Sequence, residues 1–278
     1  MKKKLYLVSL GCPKNLVDSE LMLGSLQKSG FEVCQDPADS TVILVNTCGF
    51  IQTAVEEAVD EILQLIEFKN EDPRKIIVVT GCLVQRYGDS LKDELPEVDL
   101  FIGIDGVIDI SARIERRMQQ RDLVDVVIGQ PTFLMDSSNE RIISTPKHRA
   151  YLKITEGCSN RCSYCMIPSI RGKLRSRALD DIIIEAQRLE AQGVKELTLV
   201  GQDLTAYGID LPGTKTSLAD LLALLLQKTD IPWLRTLYLY PHRITDRHLE
   251  LIAQNPRLVP YLDIPLQHVS DSILRSMN

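Results

Sequence analysis

No apolar run in the 278-residue sequence approaches the length needed to span a bilayer, so no membrane role is expected. The opening MKKKLYLVSLGC joins a basic end to an apolar stretch and a cysteine. That stretch, residues 5–10, is too short for a signal-peptide core and reads as a strand. An excess of positive charge is also missing. Lys and Arg number 32 against 38 Asp and Glu, and the net charge of −6 gives no general pull toward nucleic acid or anionic membrane. Nor do the cysteines come in even number. The seven, at 12, 34, 48, 82, 158, 162 and 165, argue against a disulfide framework and leave metal ligation or redox chemistry. A cytoplasmic protein is expected.

What is present is ordinary globular material, 44% hydrophobic and 25% charged, long enough for one large or two modest domains. Residues 4–10, 41–46, 75–80, 100–104 and 124–128 are apolar runs of strand length. Residues 15–28 and 51–68 carry apolar side chains at helical spacing. Continuous apolar strands alternating with helices predict a mostly parallel, layered sheet. The polar segment 135–148 reads as a linker between domains at 1–134 and 149–278. In the second domain, strands at 151–155, 195–203, 234–240 and 261–266 alternate with helices at 179–192, 218–227 and 246–254. Four strand-helix units suggest part of an α/β barrel. A last unit beginning at SDSILRSMN stops within its helix, as a truncated chain would.

Cys12, Cys48 and Cys82 share one address. Each follows an apolar strand and lies beside a glycine: Gly11, Gly49 or Gly81. In a parallel sheet, carboxyl ends share the edge where ligands bind. With neighbouring strands about 4.8 Å apart, three thiols there can converge. Buried cysteines are often just small hydrophobes, but three at one topological position favour a metal site. Cys34, in FEVCQD, lacks that address and reads as structural.

EGCSNRCSYC holds Cys158, Cys162 and Cys165 in a C-x3-C-x2-C run. Structural zinc takes four protein ligands, and no fourth cysteine lies nearby in sequence. A four-iron, four-sulfur cluster held by three thiolates keeps one iron open to a ligand. With Tyr164 before the last cysteine, the run resembles the radical S-adenosylmethionine (SAM) superfamily.

LGCPKNLVDSE, VNTCGFI, TGCLVQRY, YLKITEGCSNRCSYCMIPSIRGKLRSR, GQDLTAYGID and YLDIPLQH extend the likeness over nearly the whole chain. They resemble the radical SAM methylthiotransferase family. The closer match is its RimO branch, which methylthiolates an aspartate of ribosomal protein S-twelve. The sister, MiaB-like branch acts on a transfer RNA adenosine and typically has Gln-Met where this chain has Pro13-Lys14. The resemblance implies a fold of class α/β: an N-terminal parallel-sheet methylthiotransferase domain, then a partial (β/α) radical SAM barrel. It places the chain's end before a C-terminal β-barrel (TRAM) domain.

It also implies that Cys158, Cys162 and Cys165 hold the SAM-binding 4Fe-4S cluster, and that Cys12, Cys48 and Cys82 hold a second. One SAM yields the deoxyadenosyl radical that takes hydrogen from the aspartate β-carbon, and another supplies methyl. An electron donor such as flavodoxin or ferredoxin and a sulfur donor are the further partners implied. Candidate SAM contacts are Tyr164, Gln202, Asp203 and Arg175. Gln202 and Asp203, in GQD, could equally cap the next turn. The basic run RGKLRSR, 171–177, could be a solvated face or could meet a carboxylate of SAM or substrate. His242 and His268 read as structural, and of Tyr238 and Tyr240 at most one face of the strand points inward. Two other functions compete: transfer RNA methylthiolation, and a non-enzymatic iron–sulfur or zinc protein with a structural or sensing role.

Overall fold

A computed structural model describes residues 3–120, 125–213 and 215–277. Two compact units emerge, 1–133 with 140–142 and 134–139 with 143–278.

In the first unit the order is β1 (Lys3–Ser9), α1 (Pro13–Lys28), β2 (Phe31–Val33), β3 (Val42–Thr47), α2 (Gln52–Glu71) and β4 (Ile76–Gly81). There follow α3 (Cys82–Tyr87), α4 (Ser90–Glu94), β5 (Leu100–Ile102), α5 (Ile110–Gln119) and β6 (Asp125–Val127). All six strands pair in parallel, in the order β2-β1-β3-β4-β5-β6. Every residue of β3 and β4 is buried, as strands covered on both faces require. Ile43, Val45, Ile77 and Val79 pack with Ala58, Ile62, Leu65 and Ile66 of α2. Each large aliphatic side chain so buried contributes about 1.5–3 kcal/mol. The chain leaves β1 for β2 on one side and β3 lies on the other. The carboxyl ends of β1 and β3 therefore flank a topological switch point. Of the apolar run at 124–128, residue 124 lies outside the described residues, and β2 is a strand the sequence reading lacked.

Segment 135–148 does not behave as a free linker. Ile142 donates its backbone N–H to Glu20 O at 3.0 Å, and Arg141 pairs with buried Glu20 at 3.4 Å. Met135 is buried and the Ser137 N–H donates to Asp181.

The second unit runs β7 (Arg149–Lys153), β8 (Thr155–Glu156), α6 (Ile167–Arg171), β9 (Arg175–Ser176), α7 (Leu179–Ala191) and β10 (Glu196–Val200). It continues with α8 (Leu218–Lys228), β11 (Trp233–Thr236), α9 (Asp246–Gln254) and α10 (Asp271–Met277). Strands β7, β10 and β11 form a parallel sheet in sequence order, while β8 and β9 make a short antiparallel pair. Leu152, Leu197, Leu199, Ile182, Leu189, Leu222 and Leu225 belong to its core.

The expected fourth strand, 261–266, does not form. Pro260 and Pro265 remove two backbone donors from that stretch. The third strand also stops short, because Tyr238 turns into the left-handed region at φ 60°. What remains of the pairing is one bridge, Leu234 to Leu258, and a bond from Leu239 N to Asp263 O at 2.9 Å.

Candidate functional site

Three adjacent parallel strands, β1, β3 and β4, deliver Cys12, Cys48 and Cys82 to one sheet edge. Their ends are in register, with Ser9 opposite Asn46 and Thr47 opposite Gly81. The glycines account for the closeness of the loops. A Cβ on Gly11 would stand 2.7 Å from Cys48 Cβ and 3.3 Å from its Sγ. One on Gly49 would stand 2.7 Å from Leu83 Cα and 2.9 Å from Cys82 O. Gly11 and Gly81 also hold positive φ, at +88° and +99°, where side chains are disfavoured. Cys12 and Cys48 are half-buried and Cys82 is buried.

Sequence reasoning passed over the polar frame of this edge. Asn15 Nδ2 donates to Leu10 O at 2.7 Å and Thr47 O at 3.3 Å. Asn46 Nδ2 donates to Asn15 O at 2.9 Å and Ser19 Oγ at 2.8 Å. Arg86 reaches Gly49 O at 2.7 Å. The visible signal was a polar residue, Asn46, ending an apolar strand just before the cysteine.

In the second unit, Cys158, Cys162 and Cys165 lie in the loop leaving β8. Gly157, at φ +68°, lets that loop press on the next segment. Its Cβ would stand 2.2 Å from Lys173 O, and Cys158 N donates to Gly172 O at 3.0 Å. Asn160 N approaches Cys158 Sγ at 3.4 Å. Burial pushes the Cys158 and Cys165 thiols up, and the charge of Cys162 adds to both, so the three lie within electrostatic reach. Tyr164, 46% exposed, has its phenol pushed up to about 12, by desolvation first and then by Cys162.

Beneath the loop sits a buried ion cluster. Glu156 accepts from Lys153 Nζ at 2.8 Å and Arg171 NH1 at 3.0 Å. Despite the desolvation cost, these two cations hold its carboxyl well below the usual range. Arg177 is buried too, pairing with Asp181 at 2.7 Å and Glu185 at 2.5 Å. The basic run is therefore not a solvated face, for only Lys173 of its four cations is exposed. Arg175 gives its guanidinium to Lys173 O at 2.9 Å and Arg171 O at 3.2 Å.

Gln202 is half-buried, while Asp203 is 3% exposed and caps the following turn through Thr205 N at 3.0 Å. His242 and His268 are exposed, and Tyr238 and Tyr240 are half-buried. The buried histidine is His248. Cys34 donates to Leu5 O at 3.4 Å, away from the cysteine edge.

Among the described residues, no three His, Cys, Asp or Glu side chains already form a metal-holding group. The fit therefore rests on the donors. The second unit offers three soft thiols on one short loop. The nearby carboxylates of Glu156 and Asp203 accept from protein donors, which leaves them poorly placed as a fourth ligand. Thiol-only, three-donor ligation fits an iron–sulfur cluster with an open iron better than structural zinc.

Two families match the sequence: the uncharacterized protein family UPF0004 over residues 4–103 and the radical SAM superfamily over 152–278. The "Ribosomal protein uS12 methylthiotransferase RimO" of Desulfotalea psychrophila is 55% identical over 99% of this chain and 61% of its own. That of Anaeromyxobacter sp. (strain Fw109-5) is 52% identical over 99% of this chain and 57% of its own. The chain thus spans about 60% of the length of these curated relatives. Among solved structures, the radical S-adenosylmethionine methyltransferase TsrM from Kitasatospora setae, with cobalamin and a 4Fe-4S cluster bound, is similar. The TM-score is 0.69 at 15% identity, over 99% of this chain and 62% of that one. At that identity the likeness shows the fold alone.

Proposed function

We propose that the chain belongs to the radical SAM methylthiotransferase family and serves the reaction for which its relatives are named. That reaction is transfer of a methylthio group to ribosomal protein uS12, here read as addition to the β-carbon of an aspartate. Two 4Fe-4S clusters and SAM are the cofactors, with an electron donor and a sulfur donor as partners in the cytoplasm.

The observation that carries the reading is the pair of cysteine triads, the first on a glycine-shaped edge of a parallel sheet and the second in the glycine-shaped loop leaving β8. In this reading Cys158, Cys162 and Cys165 hold the cluster that binds SAM, and Cys12, Cys48 and Cys82 hold the second. When bound, the clusters supply electron transfer to SAM and a site for the inserted sulfur. The chain's own residues ligate, orient and exclude water. Gly157 seats the loop, and the pairing of Glu156 with Lys153 and Arg171 fixes its base. In this reading Tyr164 and Gln202 are contacts for SAM. Arg175, with backbone carbonyls as its partners, shapes the loop's rim.

The test offers anaerobically reconstituted protein a uS12 substrate and a transfer RNA in parallel, with mass spectrometry for the added methylthio group. Modification of uS12 alone is expected. Modification of the RNA alone would transfer the chain to the sister branch. Zinc in place of iron and sulfide, with no SAM turnover, would support a structural metal protein.

A further inference from the structure

We propose that Asp203 is a positioning residue that ties the cysteine loop to the loops after β10 and β11. Its two carboxylate oxygens receive four protein donors. Oδ2 accepts from Asn160 Nδ2 at 2.9 Å and from Arg243 NH1 at 2.9 Å. Oδ1 accepts from Thr205 N at 3.0 Å and Thr205 Oγ1 at 2.5 Å. Asn160 lies between Cys158 and Cys162, Asp203 follows β10, and Arg243 closes the turn Pro241–Arg243 after β11.

One buried carboxylate thus joins the cysteine loop after β8 to the loops that follow β10 and β11. A charge-assisted acceptor so placed fixes geometry strongly, and removing it takes the shared partner from half-buried donors on three loops. With both oxygens taken up, the carboxylate has little left to offer a cofactor's amino group. Asp203 therefore acts through Asn160 on the loop, much as outer-shell partners orient metal ligands.

This rests on the assignment of a cluster to Cys158, Cys162 and Cys165, so one measurement is made without metal. In the metal-free protein, Asp203→Asn and Asn160→Ala should each speed amide hydrogen exchange at residues 158–165. Exchange in β7 and β10 should stay unchanged. Unaltered exchange in the loop would overturn the proposal, whether or not the wild type holds a cluster. In reconstituted protein, Asp203→Asn, Asn160→Ala and Arg243→Ala should each lose iron to a chelator about tenfold faster. Asn160→Ala combined with Asp203→Ala should be no worse than Asp203→Ala alone. The change that SAM makes in the cluster's electron paramagnetic resonance signal should persist in every variant. A SAM response lost in Asp203→Asn but kept in Asn160→Ala and Arg243→Ala would make Asp203 a direct SAM contact instead.

Discussion

Gly11 lies flat against Cys48, and a Cβ on the glycine would stand 2.7 Å from that of the cysteine. The contact holds the loops that carry Cys12 and Cys48 against each other, because Cys12 is the very next residue. Gly11→Ala should therefore damage the first triad without touching the second. The left-handed backbone alone adds about 1–2 kcal/mol of strain, before the clash is counted. Iron analysis of the variant should show the loss of one cluster, with SAM cleavage retained. Full iron content would show that the contact is not needed.

Glu156 lies between two buried cations, Lys153 and Arg171, and pairs with both. Glu156→Gln should cost about 3–5 kcal/mol in denaturant unfolding, because it removes the buried carboxylate charge with which both cations pair. A loss below 1 kcal/mol, on the order of an exposed pair, would mean that water reaches the cluster.

His248 is buried behind the N-cap of α9, and its Nε2 has no hydrogen-bond partner. Burial lowers its pKa from the ordinary 6.5. The unfolded chain then binds the proton more readily than the folded one. Stability should be flat above the ordinary imidazole range and fall as pH drops through it. Urea unfolding at a series of pH values should show this decline, and His248→Gln should flatten it. An unchanged slope in the variant would assign the decline to other groups.

Much of this was legible in the sequence, and the reasons are local. Continuous apolar runs such as VILVNT and IIVVTG have few options besides doubly covered strands, so β3 and β4, and with them Cys48 and Cys82, could be placed. The C-x3-C-x2-C spacing is likewise contained in one loop. The fate of the arginines was not local. RGKLRSR fits a solvated face and a carboxylate contact equally well until Arg171 meets Glu156, fifteen residues away, and Arg177 meets Glu185, eight residues on. Asp203 stays open between a SAM contact and a turn cap in the sequence for the same reason, since Asn160 lies 43 residues earlier and Arg243 lies 40 later. YLDIPL has a strand's composition, yet its partner strand ends early where Tyr238 leaves the extended region.

The most direct measurement is iron and sulfide per chain after anaerobic reconstitution, in wild type, Cys48→Ala and Cys162→Ala. About eight irons are expected in the wild type and about four in each variant. Cys162→Ala should abolish SAM cleavage, whereas Cys48→Ala should cleave SAM and transfer no methylthio group. A wild type with four irons, or a Cys48→Ala protein that still methylthiolates, would contradict the two-cluster assignment.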